Sequence, residues 1–170
     1  MTSILQSSAQ AAGVMDSDIL AALNTAAGGG ISPVLALIES GAVDERLFSR
    51  HLADSLGWPW LETPRPEPAD AAELKRLIPA RFAVRHQVFP VGFGHGRVTT
   101  TTHQPVVESS TPQKRTLKLA CHDPCDLLAR QAVARQSELP VEWCLTPRTE
   151  LLSAVQQLYG VGAETFDALI

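Results

Sequence analysis

The stretch Leu117-Lys118-Leu119-Ala120-Cys121-His122-Asp123-Pro124-Cys125-Asp126-Leu127-Leu128 constrains the fold more than any other part of the chain. Leu117 and Leu119 alternate with Lys118, which is the two-residue period of a half-buried strand. Asp123-Pro124 then stands where a helix N-cap and its first residue belong, because proline lacks the N–H that a first helical turn leaves unpaired. Leu127, Leu128, Ala132 and Val133 carry the helix on. Strands at 87–93 upstream and 141–145 downstream give this strand–turn–helix its partners, and a small α/β unit follows.

Length and charge bound the rest. The 170 residues suffice for one ordinary domain or two small ones. A hydrophobic share of 45% argues against wholesale disorder. The net charge of −4 gives no global attraction to nucleic acid or to an anionic membrane. Three clustered cysteines make no secreted disulfide framework. The N-terminus lacks the basic and apolar regions of a signal peptide. No apolar run approaches the roughly 20 residues that span a bilayer. A cytosolic chain is expected, with any membrane association coming through a partner.

Residues 1–15 are small and polar and read as a loose start or a weak helix. A short helix opens at Asp16-Ser17-Asp18 and ends in Gly28-Gly29-Gly30. Ser32-Pro33 starts the next helix in cap-then-proline order, and Gly41 stops it. Residues 44–56 form another, with Leu47, Phe48, Leu52 and Leu56 at helical spacing and Gly57 after it. The second helix of this hairpin mixes Arg46, Arg50 and His51 with Asp44, Glu45 and Asp54, so it lacks the clean basic face of a DNA-reading helix. Pro64, Pro66 and Pro68 cannot propagate a helix and read as an extended, solvated linker. Beyond it come helices at 69–77 and 80–86, a strand at 87–93, a glycine turn at 92–96, a returning strand at 97–102 and a polar loop at 103–116. The strand 117–120, a helix at 126–136, a strand at 141–145 and a helix at 148–159 complete the unit.

No catalytic constellation emerges. The glycines of Gly92-Phe93-Gly94-His95-Gly96 lead into strand rather than helix and are not followed by Lys-Ser or Lys-Thr, so a hairpin turn is expected instead of a phosphate loop. Cys121, His122 and Cys125, with Cys144 later, lack the second tight Cys/His pair of a zinc site and read as small buried hydrophobes. Asp123 and Asp126 read as acids at a helix N-terminus.

Taken in order, Ile78-Pro79-Ala80-Arg81, Val88-Phe89-Pro90-Val91, Leu119-Ala120-Cys121-His122-Asp123-Pro124 with Asp126, and Leu151 through Gly160 resemble the N-terminal domain of the type II secretion and type IV pilus assembly ATPases, the general secretion pathway protein E family. Leu37-Ile38-Glu39-Ser40-Gly41-Ala42-Val43 and Leu56-Gly57-Trp58-Pro59-Trp60 match its helical segment. The resemblance spans about residues 34–160. It implies an α+β fold: a small mixed sheet of three to four strands flanked by helices, preceded by an N-terminal helical subdomain. The expected division is a helical subdomain at 1–62, a proline-rich linker at 63–68, an α/β subdomain at 69–160, and a tail at 161–170 leading toward a motor domain.

The resemblance also implies a non-catalytic adaptor without a cofactor. It would dock the ATPase onto the cytoplasmic domain of an inner-membrane secretion or pilus platform protein. Such a chain would be cytoplasmic and peripheral to the inner membrane, would hexamerise through the motor domain, and would neither bind nucleic acid nor insert into the membrane. Arg46, Leu47 and Arg50 are the expected partner-binding residues. A branch of the family binds cyclic di-GMP through a repeated motif beginning Arg-Leu-Gly. Here Leu37, Ile38, Gly41 and Val43 keep its second half, while Ser32, Pro33 and Val34 stand at the Arg-Leu-Gly positions.

Overall fold

A computed structural model describes residues 2–96 and 114–160. The expected returning strand at 97–102, most of the loop at 103–116 and the tail at 161–170 lie outside the described residues. Four helices come first: α1 (Thr2–Ala11), α2 (Asp16–Gly29), α3 (Pro33–Glu39) and α4 (Glu45–Leu56). The order continues α5 (Ala71–Leu77), α6 (Ala80–His86), β1 (Val88–Gly96), β2 (Lys114–Cys121), α7 (Leu127–Gln136), β3 (Val141–Leu145) and α8 (Arg148–Tyr159). The sheet order is β1-β2-β3. β1 runs antiparallel to β2, and β2 runs parallel to β3 across the α7 crossover. The expected α+β architecture with a small mixed sheet is borne out.

Several boundaries follow from local chemistry. Ser32 Oγ accepts the Val34 N–H at 3.2 Å and Pro33 opens α3. Asp44 Oδ1 accepts the Leu47 N–H at 3.0 Å to start α4, and Gly57 closes it in the left-handed region at φ 67°. Of the two readings of the N-terminal residues the helix holds: residues 2–11 form one, because Leu5 and Ala9 are buried and the small Ser8 and Ala9 allow close approach to α4. Two expectations need correction. The glycines at 92–96 belong to strand β1 rather than to a turn. A Cβ on Gly94 would stand 2.9 Å from Thr116 Oγ1, so glycine there makes room for β2. The register shifts between Pro90 and Gly92, where proline has no N–H for the ladder. Residues 114–116, expected as loop, extend β2.

The turn after β2 also departs from its expected cap. Asp123 does not cap α7; its Oδ1 accepts the Cys125 N–H at 2.8 Å and closes the turn. Asp126 is the N-cap and accepts the Ala129 N–H at 2.8 Å. The Asp123 carboxyl is raised by burial, against the opposing donation of the Ser32 hydroxyl and the Cys125 N–H.

Two cores result. Leu74, Ile78, Phe89, Leu117, Leu119 and Leu151 are fully buried around the sheet. Leu5, Ile19, Leu37, Phe48 and Leu52 form the helical core, which also takes in Cys121 and Leu145 from the ends of β2 and β3. Trp143 packs against both. The segment 63–68 does not hang free: Pro64 is buried, and the Glu67 N–H donates to the Val91 carbonyl at 2.8 Å.

Truncating Phe89 to alanine should cost about 3–5 kcal/mol by urea unfolding. His122 is 8% exposed, and burial, reinforced by Arg148 and opposed by Asp126, pulls its imidazole down to about 4. A histidine whose folded pKa lies below its unfolded value stabilises the fold above the unfolded pKa and loses that contribution as pH falls toward the folded one. The stability difference between the native chain and His122→Gln should therefore change by about 3 kcal/mol between pH 6.5 and 4, read from urea unfolding at each pH.

Candidate functional site

Phe48, Ser49, Leu52 and Ala53 bury one side of α4, which fixes what its other residues can reach. The Arg46 guanidinium sits between two carboxylates, 3.0 Å from Glu62 and 2.5 Å from Glu150 of α8. Its neighbour Glu45 turns toward the same helix. Proline is the N-cap residue of α8 and offers no side-chain acceptor, so the Glu45 carboxylate takes the Arg148 N–H instead and lies 3.4 Å from the Thr149 hydroxyl. An acid at a helix N-terminus satisfies an orphan donor and opposes the helix dipole. Arg50 lies over Trp60, its guanidinium 5.8 Å from the ring centre. Leu47 remains 49% exposed. The structure thus brings Arg46 and Arg50 into contacts within the chain and leaves Leu47 open.

Sequence reasoning missed the residues that receive these side chains. Glu62 and Glu150 are far from Arg46 in sequence, and nothing in their spacing reveals the pairing. Trp58-Pro59-Trp60 carried the better signal, since two tryptophans around a proline cannot all be solvated at no cost. Trp60 forms a parallel bridge to Leu145 at the end of β3. The Arg130 guanidinium of α7 lies 5.6 Å from the Trp58 ring and 6.0 Å from that of Trp143. All three tryptophans of the chain therefore pack against the helical core, and Trp143 brings β3 to it.

The cysteines offer no reactive group. Burial pushes the Cys125 and Cys144 thiols up to about 11, and that of Cys121 higher still. A thiol so placed stays protonated at neutral pH and is a poor nucleophile or ligand. Among the described residues, no group of three or more His, Cys, Asp or Glu side chains is placed to hold a metal ion. What this surface can do is make contacts: exposed leucine, stacked guanidinium and half-buried tryptophan.

The family model of the MshEN domain matches residues 56–165, more than half of the chain. A solved structure of MshE with cdg superposes at a TM-score of 0.62 with 21% identity, covering 91% of this chain and 98% of that one. The N-terminal domain of XpsE superposes at 0.58 with 23% identity, covering 86% and 87%. These two likenesses establish the fold. No curated protein matches the chain. The chain belongs to the MshEN domain family, the N-terminal and non-catalytic domains of type II secretion and type IV pilus assembly ATPases.

Proposed function

We propose that this domain is an adaptor that docks a secretion or pilus assembly ATPase onto the cytoplasmic domain of its inner-membrane platform protein, with Arg46, Leu47 and Arg50 in the contact. One observation carries this reading. Leu47 stands 49% exposed on a helix whose neighbouring guanidiniums are already held by Glu62, Glu150 and Trp60. Long side chains fixed before association lose less freedom on binding, and arginine beside an apolar anchor is a common hot-spot composition. The surface suits a partner that is apolar at its centre and acidic at its rim. In this reading the chain works in the cytoplasm, reaches the membrane only through that partner, and hexamerises through a motor domain. Among the described residues, no helix is long and apolar enough to cross a membrane.

The test is the affinity of the platform's cytoplasmic domain for the chain carrying Arg46→Glu and Arg50→Glu. Binding should weaken at least about tenfold, as expected when like charges face an acidic rim. The control is Arg46→Ala, which removes largely exposed ion pairs and should cost less than about 1 kcal/mol of stability by urea unfolding. Unchanged affinity in the double variant would remove α4 from the contact.

A second reading, regulation by cyclic di-GMP, is favoured by the likeness to MshE, solved with cdg. Against it, Ser32 takes the place of the motif's arginine, and its hydroxyl oxygen already accepts the Val34 N–H. The adaptor reading expects no change in thermal midpoint with cyclic di-GMP. A true ligand at a hundredfold excess over its dissociation constant would stabilise by about 2.7 kcal/mol, a shift of several degrees.

A further inference from the structure

β3 is an edge strand. On its inner side the Leu117 N–H donates to the Pro140 carbonyl, and β2 runs alongside. On its outer side the short segment 59–61 reaches only Leu145, whose N–H donates to Pro59 and whose carbonyl accepts the Leu61 N–H, each at 2.9 Å. The N–H and C=O of alternate residues point to the same side of a strand. Val141 and Trp143 therefore direct theirs outward, as Leu145 does. Among the described residues, no backbone group pairs with them.

A groove of about 670 Å³ runs beside this edge, between β3 and α7. Val141 and Trp143 line it from the strand, Leu139 from the turn before it, and Leu127, 63% exposed, from the helix. Arg130 also lines it, stacked near Trp143 and Trp58, with no carboxylate within 4.0 Å among the described residues. Glu138, just before β3, lies on the same groove.

We infer that the outer edge of β3 accepts an extended peptide from a partner protein, which adds as a strand across Val141 and Trp143, seats an apolar side chain in the groove and sets a carboxylate against Arg130. Three features select this occupant. Outward N–H and C=O groups are satisfied in register by extended backbone, the mode of strand addition. The same edge already accepts extended backbone at Leu145, from the chain's own segment 59–61. Arg130 offers a cation with no ion-pair partner within 4.0 Å among the described residues, while Glu138 disfavours a carboxylate near itself, so the acidic residue belongs near the Trp143 end. This inference does not rest on the docking role of α4.

Tryptophan emission and amide exchange read the site directly, because Trp58, Trp60 and Trp143 are the only tryptophans in the chain and border this edge. The probes are capped octapeptides alternating Val and Thr, with one Asp near either end. Companions carry Lys in place of Asp, or N-methyl groups on alternate amides. An acidic peptide should change the emission saturably and slow exchange of the Val141 and Trp143 amides. N-methylation, which spares the side chains but removes strand pairing, should abolish both effects. Lys for Asp, or Arg130→Gln in a chain whose thermal midpoint is unchanged, should weaken binding by about tenfold. Three outcomes would overturn the inference: no saturable change with either acidic peptide, equal binding by the N-methylated one, or protection of Val141 and Trp143 without peptide in a dimer detected by sedimentation, which would make the occupant a second copy.

Discussion

The acceptance of the Arg148 N–H by Glu45 is the contact on which the relation of the two halves turns. α8 begins at a proline-capped turn with no local acceptor, so its first donors need an acid from elsewhere. α4 supplies it, and the adjacent Arg46 returns a cation to Glu150 in the first turn of α8. Each link alone is modest, since exposed ion pairs contribute little. Their value lies in geometry. They register the helical half against the carboxyl ends of β2 and β3, where Cys121 and Leu145 enter the helical core.

That registration explains why the sheet is asymmetric. β1 covers one edge of β2 through a long antiparallel ladder, helped by glycine at position 94 and a bulge after Pro90. The other edge belongs to β3, which is short and, among the described residues, is met from outside only at Leu145. The segment 58–61 cannot continue along it, because Trp58 turns back to bond the Ala53 carbonyl at the end of α4. An edge left open beside a groove containing tryptophan and arginine differs from one blunted by charge or proline, the usual protection against unwanted pairing.

The surface chemistry and the family assignment converge on contact rather than catalysis. The buried thiols are held protonated, and the acids that looked clustered in sequence are spent on a turn and a helix cap. The stacked arginines and half-buried tryptophans are instead residue types that carry binding energy in interfaces.

Much of the fold was legible in the chain because it rests on local rules. Ser32-Pro33, Asp44 and Gly57 set the bounds of α3 and α4, and the alternation of Leu117 and Leu119 marked β2. The family resemblance, resting on the order of short motifs, supplied the fold class that such rules could not. Residues 2–11, open to either a loose start or a weak helix from the sequence, are helical because α4 offers a surface for Leu5 and Ala9. Where the expectation was wrong, a nearby or longer-range constraint had won. The glycines at 92–96 stay in strand because β2 lies against them. Asp123 yields the helix cap to Asp126 because its own oxygen closes the preceding turn. The sequence by itself determined the elements, their order and the absence of a Walker loop, since these depend on neighbours a few residues apart. Only the tertiary structure decided that Arg46 bridges Glu62 and Glu150, that Trp60 bridges Leu145, and that the three tryptophans pack against the helical core, because those contacts join residues whose separation along the chain carries no periodic signal.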